Sequence, residues 1–248
     1  MLTITSSDYK ENSILGALTA GEIESLVPHL ELVTLLHSEV VFEDNDKLQY
    51  AYFPVSSTVS LLCCLEDGSC VEVAMVGKEG ILGISVVMGN AKTLTQAITK
   101  IEGQAYRISI RALQNALARS EGRRAGTLKK LLLRYAQTLF VQISQATACN
   151  RRHALEQQLC TWLLSCFDRS DSSTNLSITH ELTAYILGVR RESITVIAKK
   201  LQQDGMIEYS RGQIELKDRE KLEVNACECY SVVKNESSRW IIDTSRAA

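Results

Sequence analysis

The spacing of apolar residues divides the chain into a strand-rich first half and a helical second half. Residues 19–30 predict a short helix, in which Thr19 and Glu22 occupy the positions of a capping box. From there to about residue 110, short β-branched runs such as TVSLLCCL and CVEVAMV are separated by Gly, Asn and Asp. A turn at Asp67–Gly68 joins these two runs. We therefore predict an α+β protein whose residues 1–120 form an antiparallel β-sandwich.

The strand pattern ends near residue 111 and gives way to a long helix. Between residues 128 and 149, mostly apolar residues recur at alternating intervals of four and three, which is typical of a coiled-coil seam. We expect residues 121–149 to form a dimerisation helix, since so long a helix has more apolar surface than one contact face uses. The alternative is a helix packed on the sandwich of its own protomer. The expected seam residues are Leu128, Leu132, Tyr135, Leu139, Gln142 and Ala146, whereas Leu131, Leu133 and Phe140 are expected to pack on the protomer's own domain.

A pair of short amphipathic helices is predicted in the stretch ITHELTAYILGVRRESITVIAKKLQQDGMI, residues 178–207. Thr179 is a suitable N-cap for a first helix over 180–187. Gly188 follows where the chain turns, with an expected positive φ. A second helix over 190–203 precedes a hairpin around Arg211 and Gly212. Residues 150–222 therefore predict a winged helix, while residues 223–248 give no clear pattern.

The outward face of the second helix carries residue types that read DNA. In helix-turn-helix proteins, the N-terminal part of this helix enters the major groove. Arginine pairs with guanine, glutamate accepts from cytosine, and serine or threonine contacts phosphates or base edges. The alternative is an ordinary solvated helical pair with a mixed-charge face. Thr179 and His180, at the start of the first helix, are expected to approach a phosphate. The other expected DNA-binding residues are Arg190, Arg191, Glu192, Ser193, Thr195 and Lys199 on the second helix and Arg211 at the wing tip.

Composition and charge exclude some classes of protein but do not indicate a particular function. The 248 residues carry a net charge of −2, so a DNA contact must come from a local patch. No apolar run approaches the length of a membrane span, and the first residues lack the order of a signal peptide, so we expect a cytoplasmic protein. No nucleophile–base motif predicts an enzyme.

Eight cysteines occur without any CxxC pair, which argues against zinc-ribbon and thioredoxin-like motifs. We expect most of them to be small buried hydrophobic residues and do not expect a disulfide framework. Two groups remain candidates for redox or metal chemistry, namely Cys63–Cys64 and the pair Cys227 and Cys229.

The order of sandwich, long helix and winged helix resembles the Crp/Fnr family of bacterial transcription regulators, over about residues 15–220. The family's recognition helix typically carries Ser-Arg-Glu-Thr-Val, and this chain has Arg190-Arg191-Glu192-Ser193-Ile194. Arg191 and Glu192 match the base-reading pair, and Val196 stands where the family often has a second arginine, which bears on the operator half-site. The resemblance implies a homodimer on a pseudo-palindromic operator, with double-stranded DNA and RNA polymerase as partners.

The sandwich of this family often holds a cyclic nucleotide through a glutamate and an Arg-Ser or Arg-Thr pair. In this chain, Ile84 stands at the glutamate position and Thr93-Leu94 at the Arg-Ser position. A cyclic phosphate needs a fixed positive charge or several amides, so we expect no cyclic nucleotide. We expect no iron–sulfur cluster, haem, other cofactor or metal either. The residues of this degenerate effector pocket are Gly83, Ile84, Lys92, Thr93 and Leu94.

Two other classes of function remain open. The winged helix can contact a protein instead of DNA, as part of a sensor or interaction protein. A thiol-based enzyme that uses Cys63 or Cys64 is the third class.

Overall fold

Two antiparallel sheets form the sandwich of the first half, as predicted. The computed structural model describes residues 8–89, 92–119, 126–170, 172 and 174–245, with the backbone alone from residue 240 onwards. The strands are β1 (Leu30–Leu35), β2 (Val40–Phe42), β3 (Tyr50–Pro54), β4 (Thr58–Cys64), β5 (Cys70–Val76), β6 (Gln96–Ile101) and β7 (Gly103–Ser109). One sheet has the order β1-β7-β3 and the other β2-β6-β4-β5. The predicted turn between β4 and β5 is present, with Gly68 at a φ of 81°.

Short helices flank the sandwich: α1 (Ser13–Gly16), α2 (Ala20–Leu26) and α3 (Ile110–Arg119). The predicted capping residues at the start of α2 meet, since the Glu22 carboxylate accepts from the Thr19 hydroxyl at 2.7 Å and from its backbone N–H at 3.3 Å. The same carboxylate accepts from the backbone N–H of Leu128 at 3.1 Å. Glu22 therefore also satisfies a free amide at the start of the long helix that follows.

The long helix α4 (Thr127–Arg152) packs on the sandwich of its own protomer, which corrects the predicted seam. Leu128, Leu132, Tyr135 and Leu139 are all buried in the sandwich core. The ring of Tyr135 lies so close to Gly80 that no side chain would fit there. The alternating spacing correctly marked a buried face, but such spacing does not say which surface buries it.

The last two predicted seam residues also face the sandwich. Gln142 and Ala146 are half-buried beside β5. With its amide oriented to match the backbone, Gln142 accepts from the Met75 N–H at 3.0 Å and donates to the Met75 carbonyl at 3.2 Å. The polar member of the pattern therefore extends the backbone pairing of β5 within the protomer.

The outward face of α4 carries apolar residues that we expected to pack inside the protomer. Leu133 is 51% exposed and Phe140 is 66% exposed, whereas Leu131 is buried as expected. Leu133 and Phe140 therefore face outward, although we expected them to pack on the protomer's own domain.

A second core lies under the predicted winged helix. Its elements are α5 (Leu155–Phe167), β8 (Asn175–Ser177), α6 (His180–Leu187), α7 (Arg191–Gln203), β9 (Ile207–Ser210), β10 (Gln213–Leu216), α8 (Arg219–Asn225) and α9 (Glu228–Ser245). The predicted helical pair and hairpin are confirmed within one residue. Strand β8 was not predicted; it pairs with β10 to complete a three-stranded wing. Residues 223–248 gave no pattern, yet α9 covers most of them and packs along α4.

The cysteines partly contradict the prediction. A disulfide joins Cys64 and Cys70, which face each other across the β4–β5 hairpin. The hairpin register brings these two residues together, and no spacing rule for disulfides indicates it. Most of the remaining cysteines are buried, as expected: Cys149, Cys160, Cys166, Cys227 and Cys229. Among the described residues, no helix combines the length and apolar character that crossing a bilayer requires.

Candidate nucleic-acid interface

Capping interactions fix the helix-turn-helix at both ends of its first helix. The Thr179 hydroxyl accepts from the backbone N–H of Leu182 at 3.1 Å, so it is the N-cap of α6. Gly188 ends the helix with a φ of 64°, a left-handed conformation that a glycine adopts without steric cost. The N–H of Val189 then donates to the carbonyl of Ala184 at 2.9 Å, which closes the turn.

The second helix separates a buried side from an exposed one. Ile194, Ala198 and Leu201 are buried, and Leu201 belongs to the winged-helix core. The predicted base-reading and phosphate-binding residues stand on the opposite side: Arg190, Arg191, Glu192, Thr195 and Lys199 are exposed, and Ser193 is half-buried. Arg190 occupies the N-cap position, so two guanidinium groups project from the first residues of α7.

Not every lysine on this helix is equally available. Lys200 forms an ion pair of 2.7 Å with Glu156 at the start of α5. Its neighbour Lys199 is exposed. Both lysines carry the same charge, but the ammonium group of Lys200 is already paired with a carboxylate.

Val196 adds an apolar patch to the exposed side of α7. Its side chain is 69% exposed among the charged residues of this face. An apolar side chain in a major groove is suited to the methyl group of thymine. The departure from the family pattern noted at this position therefore replaces a side chain that can form hydrogen bonds by an apolar one.

His180, which we expected near a phosphate, ties the two helices and the wing together. Its Nδ1 lies 3.2 Å from the Thr195 hydroxyl, and its ring stacks on Tyr209 with 3.9 Å between the ring centres. The Nε2 atom is enclosed by protein atoms. Burial, and then the charge of Arg191, lower the pKa of His180, so the ring favours the neutral form. Tyr209, a member of β9, was missed because nothing in the sequence indicates this stacking.

The wing tip stands beside the start of α6. Arg211 and Gly212 have positive φ values of 48° and 80°, as a tight type I′ hairpin turn requires. The Gly212 carbonyl accepts from the N–H of Ile178 at 2.9 Å, and the Gln213 amide donates to the Ser177 hydroxyl at 3.0 Å. Arg211 is exposed at this tip, and the adjacent Gly212 lies next to Thr179.

The turn of the helix-turn-helix rests against the β4–β5 hairpin of the sandwich. The Tyr185 hydroxyl lies 2.8 Å from the sulfur of Cys70, and Gly188 lies close to Val71. This contact joins the two halves of the chain directly, at residues that come just before α7 in the chain.

All five predicted effector-pocket residues lie in the segment between β5 and β6. The Thr93 hydroxyl donates to the Thr95 carbonyl at 3.0 Å and accepts from the Thr95 N–H at 3.2 Å, so its bonds stay within one turn. Leu94 is 72% exposed. Gly83 has a φ of 87° and starts a 3₁₀ turn that contains Ile84. Lys92 is exposed and bridges to Lys47 through the backbone.

Comparisons with known proteins identify both halves of the chain. Residues 32–120 match the family model of the cyclic nucleotide-binding domain, and residues 157–224 match that of the Crp-like helix-turn-helix domain. These two models together cover more than half of the chain. The chain belongs to the Crp/Fnr family of transcription regulators, whose members are not enzymes.

Solved structures share the fold at low identity. FixK2 from Bradyrhizobium japonicum is 15% identical with a TM-score of 0.67, and the match covers 80% of this chain and 98% of that one. A Crp/Fnr-family regulator from Eubacterium rectale is 16% identical with a TM-score of 0.67, over 86% and 96% of the two chains. The c-di-GMP-responsive regulator CLP from Xanthomonas campestris is 17% identical with a TM-score of 0.65, over 81% and 100%. No curated protein matches the chain significantly.

Proposed function

We propose that this Crp/Fnr regulator acts as a homodimer that reads a pseudo-palindromic DNA operator through α7 and the wing. The observation that carries the proposal is the exposed group Arg190, Arg191 and Glu192 at the N-terminal end of a helix that follows a glycine turn. These are the side chains and the helix end that enter a major groove. Arg211 extends the same positive surface from the wing tip.

The outward face of α4 supports the homodimer. Leu133, Gln137, Phe140 and Ser144 are all exposed and follow one another at intervals of four, three and four residues. This is the spacing at which one helix meets a second copy of itself in a coiled coil. Pairing through this face is expected to place two copies of α7 about 34 Å apart, which is one turn of DNA.

Binding to DNA at several salt concentrations tests the proposal. Each phosphate contact releases counterions, so the affinity for DNA should fall steeply as salt rises. Mapping of bound genomic fragments should yield one inverted-repeat sequence, which the purified protein binds more tightly than random DNA of the same length. Equal affinity for both DNAs at every salt concentration would contradict operator recognition.

A winged helix that contacts a protein is the second candidate, and exposed Val196 is the observation that favours it. An apolar residue at the centre of an otherwise charged face suits a protein partner as well as a thymine methyl group. The salt series separates the two candidates, because a mainly apolar protein contact does not show the steep dependence that phosphate contacts produce.

The sandwich is proposed to respond to something other than a cyclic nucleotide. The hydrogen bonds of Thr93 within its own turn and the exposed position of Leu94 support this.

RNA polymerase is the partner through which the bound dimer is proposed to act. Transcription in vitro from a promoter that contains the operator tests this partner.

A further inference from the structure

Four side chains with metal-binding chemistry meet where three helices come together. Cys149 lies in the last turn of α4, and His153 follows that helix. Cys227 lies between α8 and α9, and Cys229 is the second residue of α9. The three sulfur atoms and one imidazole nitrogen all lie within 4.8 Å of one another. All three cysteines are buried and His153 is half-buried.

The separations between these atoms fit a single tetrahedral metal ion. The sulfur atoms of Cys149 and Cys227 are 3.4 Å apart, and the sulfur of Cys229 is 3.6 Å from Nδ1 of His153. Zinc–sulfur bonds of about 2.3 Å in a tetrahedron place the ligand atoms about 3.8 Å apart. A cluster with several irons would spread its thiolates further, because each iron needs its own ligands around the bridging sulfides.

The second nitrogen of His153 already has the partner that a metal-bound histidine usually has. Nε2 lies 3.3 Å from a carboxylate oxygen of Glu228, so Nδ1 remains directed at the three sulfurs. A carboxylate in this place fixes the orientation of a ligating imidazole. The Thr161 hydroxyl lies 3.1 Å from the sulfur of Cys227, where it can donate to a thiolate.

Neither buried packing nor a disulfide accounts for all four residues. Cysteines often serve as small hydrophobic residues, but such packing does not need an imidazole nitrogen turned toward them. The 3.4 Å between Cys149 and Cys227 exceeds the disulfide bond length of about 2.05 Å. A disulfide between them would also leave Cys229 and His153 without a role.

We propose that Cys149, His153, Cys227 and Cys229 bind one Zn²⁺ as a closed structural site. Binding converts three thiols to thiolates, and the three protons pass to solvent. The metal would join the connection between α4 and α5 to the start of α9, across 78 residues of sequence. It would thereby fix the position of α9 relative to the connection between α4 and α5, which leads into the DNA-binding half of the chain. This site departs from our expectation of no metal, because the ligand spacing C-x₃-H and C-x-C matches no common zinc motif.

Metal titration of the reduced, metal-stripped full-length protein tests the site. Zn²⁺ added in competition with a chromophoric chelator should bind at one equivalent per chain. Co²⁺ in its place should give the visible bands of tetrahedral coordination together with thiolate-to-cobalt charge transfer. Cys229→Ser should abolish stoichiometric binding, whereas the matched control Cys63→Ser, which changes a free cysteine of the sandwich, should bind like the wild type.

A milder pair of variants covers the case in which Cys229→Ser fails to fold. Glu228→Gln keeps all four ligands but removes the carboxylate from His153, so the affinity for Zn²⁺ should fall about 10- to 100-fold. Glu236→Gln, on the same helix, should leave the affinity unchanged. The proposal is overturned if the wild type binds no stoichiometric Zn²⁺, if it binds a metal together with inorganic sulfide, or if Cys63→Ser loses the metal as Cys229→Ser does.

Discussion

The indole Nε1–H of Trp162 donates a hydrogen bond of 3.0 Å to the carboxylate of Glu72, which joins α5 to strand β5. The other carboxylate oxygen of Glu72 lies 2.5 Å from the ammonium group of Lys100, whose side chain is fully buried. Lys100 also lies over the ring of Trp162, 4.5 Å from its centre. A buried ion pair of the sandwich is thus covered by an aromatic residue of the DNA-binding half.

Removal of the buried charge of Lys100 should strongly destabilise the protein. Lys100→Met keeps most of the side-chain volume but leaves the buried carboxylate of Glu72 without its counter-charge, which should cost about 3–5 kcal/mol of unfolding free energy. Urea unfolding measures this. The control is Lys200→Met, which breaks an exposed ion pair with Glu156 and should hardly move the midpoint. Equal midpoints for the two variants would show that Glu72 is stabilised by solvent.

Loss of Arg191 should weaken specific DNA binding and relax base choice. Arg191→Ala is expected to cost about 1–3 kcal/mol on the operator and to remove discrimination at one base pair per half-site. Lys199→Ala should weaken binding to all sequences alike, as expected for a phosphate contact. Lys200→Ala is the matched control, since its ammonium group pairs with Glu156. An equal, sequence-independent loss for Arg191→Ala and Lys199→Ala would contradict base reading by Arg191.

Charges on the outward face of α4 should separate the dimer without unfolding the protomer. Burial of one large apolar side chain contributes about 1.5–3 kcal/mol, so Leu133→Glu with Phe140→Glu should yield folded monomers that bind a full operator weakly. Light scattering and operator titration check this. Leu132→Glu changes the inward face and should lower the unfolding free energy, because Leu132 is fully buried in the sandwich core. A double variant that stays dimeric would exclude this face as the interface.

Cyclic AMP should change neither the melting temperature nor the affinity for the operator. A ligand that binds only the folded state adds about 2.7 kcal/mol at ~100 times its dissociation constant, which a thermal melt detects. The Thr93 hydroxyl is occupied within its own turn, so no such gain is expected. A clear upward shift that Lys92→Ala abolishes would show instead that a phosphate site survives.

Local patterns were sufficient for the two helices of the helix-turn-helix and for the hairpin that follows them. Thr179, Gly188 and the Arg211–Gly212 turn each have a conformational requirement that a short window of sequence reveals, so helix bounds were predicted within one residue. The outward direction of Arg191 followed from helical periodicity for the same reason. The position of His180 did not, because its contact with Tyr209 depends on how the wing folds back.

For the helix pair, its hairpin and the buried face of α4, the sequence by itself determined the element and its apolar side, since these depend on residues within one or two turns of each other. Only the tertiary structure decided what each apolar face meets. The inward face of α4 carried the predicted seam, but the sandwich and not a second copy buries Leu132. The disulfide of Cys64 with Cys70 and the meeting of Cys149 with Cys227 were decided in the same way. Distances between residues of separate strands and helices depend on register and packing, which local patterns do not contain.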